Sequence, residues 1–137
     1  MTFTTAHMSM SLDGFVAGPD QTIEEPIGHG GMALHSWHLG AEQDRHEVDR
    51  RWASRLLRPR GAYVMGRNMF GPVRGPWSSY DGDWRGWWGD EPPYHAPVFV
   101  LTSHPREPIE MAGGTTFHFV SDGLEAALAQ ARLAGEG

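Results

Sequence analysis
The chain has 137 residues, enough for one domain with a sizeable core, since a domain of this size buries roughly two-thirds of its surface; a single domain over 1–137 is expected. Eleven Lys and Arg against seventeen Asp and Glu give a formal net charge of -6 with no cationic stripe, so the counterion release that drives nucleic-acid binding lacks a source. Without cysteine there is no disulfide framework or thiolate metal site, and no stretch has the make-up of a secretory signal or the roughly twenty apolar residues of a membrane span. A soluble cytoplasmic protein, with neither nucleic acid nor membrane as partner, is the default expectation.

Phe3 to Met10 alternates Ala6, Met8 and Met10 with Thr5, His7 and Ser9, the period-two pattern of a strand. Asp13-Gly14 and Gly18-Pro19-Asp20 then mark a tight loop around Phe15-Val16-Ala17. Glycine there either lets backbone amides approach a ligand or simply makes a turn. Residues 21–40 have no periodicity and read as a long loop. His35 and His38, three residues apart, could offer imidazoles to a metal with His29 or His46, but no His-Glu-x-x-His motif is present and no metal is assigned.

From Ala41 to Leu57, Val48, Trp52 and Leu56 recur every four residues and predict a helix with an inward stripe, opened by acids, closed by arginines and stopped by Pro59. One turn further back the stripe lands on Asp44, either an exposed first-turn acid or a carboxylate on the inward face, the best-placed candidate for a catalytic acid. Ala62 to Met65 is a short apolar run between glycines and predicts a buried strand. It ends at Gly66-Arg67, which delivers a guanidinium to the edge where open α/β sheets bind ligands and where its planar fork suits a phosphate. Gly71 to Glu91 holds Trp77, Trp84, Trp87 and Trp88 among glycine, proline, serine and aspartate. These indoles are suited to packing, to an interface or to stacking on a flat ligand. Pro97 to Leu101 is a continuous apolar run and predicts a strand covered on both faces, ending in Thr102-Ser103-His104. Thr116 to Val120 predicts a third parallel strand. Asp122 and Glu125 resemble a capping box opening a helix over 122 to 133, with Leu124, Ala127, Leu128 and Ala131 as its apolar face.

Three segments, Ser11 to Gly18, Val64-Met65-Gly66-Arg67 and Val98 to Ser103, together with Trp84-Arg85-Gly86-Trp87-Trp88-Gly89-Asp90, occur in an order that resembles the dihydrofolate reductase superfamily. Within it the chain is most similar to the branch that includes the carboxy-terminal reductase domain of the bifunctional riboflavin-biosynthesis deaminase/reductase. The resemblance implies an α/β, three-layer fold with a mostly parallel central sheet, here the amino-terminal portion of one and carboxy-terminally truncated, because the family's later strands and glycine pair have no counterpart. It implies NADPH as cofactor, with Ala17 and Gly18 at the nicotinamide, Gly66, Arg67, Asn68 and Met69 at the phosphates, and Leu101, Thr102, Ser103 and His104 around the adenosine 2′-phosphate. The implied reaction is hydride transfer to a C=N or C=O carbon of a small heterocycle of pterin, pyrimidine or flavin type. A non-catalytic assembly module of the same fold and a histidine-rich metal protein are the competing readings. An unpaired first strand and a final helix without a neighbour predict a homodimer or a longer parent chain.

Overall fold
The computed structural model describes residues 3–56, 58–72 and 74–136, Glu42 by its backbone alone. The chain divides into two compact units, Phe3–Arg58 and Pro59–Gly137. No helix among the described residues is long and apolar enough to cross a membrane.

The amino-terminal unit contains no strand among its described residues. Phe3 to Met10 runs unpaired with Phe3, Met8 and Met10 exposed, which corrects the strand expected there: alternation needs a neighbouring strand to become a sheet edge, and none is supplied. The Asp-Gly turn does form, closed by Ser11 N–H to Phe15 O and Gly14 N–H to Ser11 O, with the Ser11 hydroxyl accepting from Phe15 N–H at 2.9 Å. Further along, the backbone crosses itself. Gly18 N–H donates to Ile27 O and His29 N–H to Pro19 O, each at 2.8 Å. The crossing is so close that a Cβ on Gly18 would lie 2.1 Å from His29 O and one on Gly28 would lie 2.2 Å from Gly18 O. Only glycine fits at either position.

A 3-10 turn (Gly31–His35), the single-turn helix α1 (Ser36–Leu39) and a second 3-10 turn (Glu42–Asp44) precede helix α2 (Glu47–Leu56). Helix α2 starts six residues later than the periodicity predicts. His46 Nδ1 accepts from Val48 N–H at 3.3 Å, a side-chain partner for a first-turn amide. The predicted inward stripe is also corrected, for Val48 and Trp52 are about half exposed and only Ala53 is buried. Among the described elements of this unit the helix lies chiefly against short α1, which is too little surface to cover an apolar face.

The carboxy-terminal unit is built on a four-stranded sheet, β1 (Tyr63–Gly66), β2 (Pro97–Leu101), β3 (Ile109–Glu110) and β4 (Thr116–Val120), in the order β1-β2-β4-β3. Strands β1, β2 and β4 are parallel and β3 is antiparallel to β4, the mostly parallel α/β sheet that the resemblance implies. Register sets the two faces: Val98 lies opposite Phe117 and Val100 opposite Phe119, while Phe99 lies between Val64 and His118. Val98 and Val100 are wholly buried and Phe99 nearly so, hence the unbroken apolar run of β2.

One face carries Val98, Val100, Phe117 and Ile109 packed with Phe70, Trp77, Trp84 and Tyr94. Its rings meet edge to face, as in Phe70–Phe117 with centroids 4.9 Å apart. Phe70 ends the single-turn helix α3 (Arg67–Phe70) that follows β1. The opposite face carries Phe99 and Val120 under helix α4 (Leu124–Gly135). The helix covers them with Ala126, Ala127, Ala131 and Ala134, whereas Leu124, expected on the buried face, is 56% exposed. Small residues are what the spacing admits: a Cβ on Gly61, just before β1, would lie 2.5 Å from Gly135 Cα. The expected capping box is absent as well, the N-cap being Gly123 at φ 89 with no side-chain cap bond.

Candidate functional site
Because β1 and β2 are parallel neighbours with Gly66 in register with Leu101, Gly66-Arg67 and Leu101-Thr102-Ser103-His104 leave the sheet side by side at its carboxyl edge. Two segments 35 residues apart thus become one surface. Arg67 Nη1 donates to Thr102 Oγ1 at 2.8 Å and Nη2 to Gly75 O at 3.0 Å. Its guanidinium carbon stands 3.3 Å from the centroid of the Trp77 ring. Trp77 Nε1 donates to His104 O at 2.7 Å, and His104 N–H donates to Thr102 Oγ1 at 3.1 Å. Thr102 N–H is tied to Val120 O of β4. The Gly-Arg segment, the Thr-Ser-His segment and the tryptophan therefore form one closed ring of contacts.

More cations crowd this edge than Arg67 alone. Arg106 lies 4.8 Å from the Trp77 centroid, donating from Nη1 to Trp84 O at 3.0 Å and from Nη2 to Asp83 Oδ1 at 2.8 Å. Arg74 donates to the side-chain oxygen of Asn68. Burial, then the charges of Arg106 and Arg74, push the Arg67 pKa down. Asp83 takes the charge of Arg106 and, at 3.3 Å, of Arg85, whereas neither Arg67 nor Arg74 has a carboxylate partner among the described residues. Arg67 Nε is buried with no hydrogen-bond partner. Two guanidinium groups without a carboxylate partner, crowded by a third that has one, have the chemistry to hold an anion at this sheet edge.

Gly66 adds to this. Its φ of -79° and ψ of 162° are open to any residue, and a Cβ would meet nothing within 4 Å, so nothing inside the chain requires glycine there. Met69 is 61% exposed on α3, Asn68 and Ser103 are exposed, and Leu101 is partly buried beneath α4. The structure thus gathers Gly66, Arg67, Asn68, Thr102 and His104 at one edge. Arg74, Arg106 and Asp83 were not singled out in the sequence because they stand apart with no spacing to mark them.

In the amino-terminal unit, Ala17 and Gly18 line a shallow, open concavity of about 290 Å³, walled by Phe15, Pro19, His29 and Leu34. Asp44 ends the 3-10 turn before α2 and is exposed. It does not extend the stripe of α2, because the helix begins only at Glu47. His35 Nδ1 and His38 Nε2 share a hydrogen bond at 3.0 Å. Burial, His35 and Arg45 push the His38 pKa down. No group of three or more His, Cys, Asp or Glu is placed to hold a metal ion among the described residues.

The tryptophan segment divides. Trp84 and Trp87 meet edge to face with centroids 4.6 Å apart, and Trp84 Nε1 donates to Phe70 O. Trp88 is 52% exposed and donates to the Tyr94 hydroxyl at 3.2 Å. No curated protein matches the chain. A family model described as the RibD C-terminal domain matches residues 2–131. With nearly its whole length matched and a mostly parallel α/β sheet beneath the matched motifs, the chain belongs to the RibD C-terminal domain family, a family of reductase-like domains.

Proposed function
We propose that the protein is an NADPH-dependent reductase that delivers a hydride to a C=N or C=O carbon of a pterin-, pyrimidine- or flavin-like heterocycle. The observation that carries this reading is Arg67, held at the carboxyl edge of β1 and β2 beside the Thr102 hydroxyl, with Arg74 near and no carboxylate among the described residues to neutralise either. A 2′-phosphate suits this set, because a dianion satisfies crowded guanidinium groups that otherwise repel one another. Bound NADPH supplies the hydride. The chain's own residues bind and orient: Arg67 and Arg74 present N–H donors, Ser103 offers an exposed hydroxyl, and Gly66 leaves its side of the strand end open to close approach. Membership of a family named for a riboflavin-biosynthesis enzyme supports the heterocycle class.

The test is fluorescence titration of NADPH and NADH against the wild type and Arg67→Ala. Loss of a charge-assisted contact costs about 1.5–3 kcal/mol, so NADPH is expected to weaken by roughly ten- to a hundredfold and NADH far less. Equal weakening of both would mark Arg67 as structural. Absence of binding by the wild type would leave a non-catalytic module of this fold.

A further inference from the structure
Trp77 has one task the core does not explain. In the aromatic layer it packs edge to face against Phe70 and Phe119, with centroids 5.9 and 5.1 Å away, which is ordinary core chemistry. Its ring also carries the Arg67 guanidinium at 3.3 Å, closer than any packing requirement, and its N–H is fixed on His104 O. The turn that bears it is itself pinned, since the Ser79 hydroxyl lies 2.7 Å from Arg74 O and 2.6 Å from Pro76 O. The same turn supplies Gly75 O to Arg67 Nη2. A guanidinium has five N–H donors, and the protein uses one on each terminal nitrogen of Arg67, so donors remain for a ligand while one face of the group rests on the indole.

We propose that Trp77 is the positioning residue that holds Arg67 in its phosphate-binding orientation and thereby sets the preference for NADPH over NADH. This rests on the cofactor reading above. A long arginine at a sheet edge samples many rotamers, and each must be lost on binding a phosphate. The indole removes that freedom in advance, by a cation–π contact on one side and by its bond to the loop that carries Thr102 on the other. Arg106, the second cation against the ring, is occupied by Asp83 and Trp84 O and does not substitute for Arg67.

The experiment measures NADPH and NADH dissociation constants for the wild type, Trp77→Leu, Trp77→Phe, Arg67→Ala and the double variant Trp77→Leu/Arg67→Ala. Trp77→Leu is expected to lower the NADPH-to-NADH affinity ratio about three- to tenfold, the size of a partly desolvated cation–π contact, and Trp77→Phe to recover part of it. In the Arg67→Ala background, Trp77→Leu is expected to leave the ratio unchanged, because the group it positions is gone. If Trp77→Leu does not fold, Trp77→Met, flexible and without a π face, takes its place. A wild-type protein that prefers NADPH while the Trp77 variants keep that ratio, or in which the two losses add, overturns the positioning role alone. A wild type that binds no NADPH overturns the cofactor reading and this proposal together.

Discussion
The two units of this chain bury their apolar residues on different terms. Of the large apolar side chains exposed among the described residues, eleven lie in residues 3–58 and four in residues 59–137, while Ala53 is the sole buried apolar residue of the first unit against nine in the second. In the second unit, β1 pairs with β2 and β2 with β4 across 35 and 19 residues of chain, and the sheet offers two faces to aromatic rings and to α4. In the first, local turns and one backbone crossing hold the chain. An apolar residue is buried where a distant segment arrives to cover it, and its own spacing does not summon that segment.

The sharpest way to break this contrast is substitution in matching pairs. Phe117→Ala removes a ring that is 2% exposed and packed on Phe70, and is expected to cost about 3–5 kcal/mol of unfolding free energy, whereas Val48→Ser in the first unit stays within about 0.5 kcal/mol. Urea melts followed by circular dichroism check both, and equal costs would abolish the distinction. A smaller effect is expected at the crossing. Gly18→Ala drives a methyl into His29 O and is expected to cost about 1–3 kcal/mol, seen as faster hydrogen exchange at the Gly18 and His29 amides with Val98 and Val100 unchanged. Loss of protection in β2 as well would mean that the units do not open separately.

The smallest effect concerns the ion pair at the arginine edge. The hydrogen bond from Arg106, opposed by burial and then helped by the hydrogen bond from Arg85, holds the Asp83 carboxyl below the usual carboxylate range. The unfolded chain therefore takes up this proton first as the pH falls. The stabilisation from Asp83 is in full force above the usual carboxylate pKa and is lost as the pH drops through the lowered folded value. Comparing wild type with Asp83→Asn by melting from pH 7 downwards should give a constant small difference that shrinks in acid. A difference that grew on acidification would reverse the assignment.

Much of the second unit could be read from residue order because its strands are continuous apolar runs: Pro97–Leu101 and Thr116–Val120 have the expected bounds, and β1 is displaced by one residue. Strand β3 escaped notice because two residues, Ile109 and Glu110, carry no periodicity. Phe3 to Met10 and the stripe of α2 misled for a common reason, since a pattern that describes a face says nothing of whether a partner exists. Leu124 misled differently: on α4 the backbone distance to the sheet, set near Gly61 and Gly135, chooses alanine over leucine. At the edge, Arg67 and Thr102 were legible as strand ends. The Trp77 platform and the Asp83–Arg106 pair were not, because they converge only when the loop of residues 71–96 folds across the sheet.

Gly61 and Gly135 have a consequence for how the second unit connects to anything else. With a side chain on one falling 2.5 Å from the backbone of the other, the unit's chain begins and ends at almost the same point, at the amino edge of β1. Topologically it is a nearly closed loop, and its ends could be joined by a bridge of a few residues and reopened in an exposed turn. A tag or fused domain attached after α4 would depart from the amino edge, at the opposite end of β1 from Arg67, and leave the guanidinium groups clear for immobilisation or labelling.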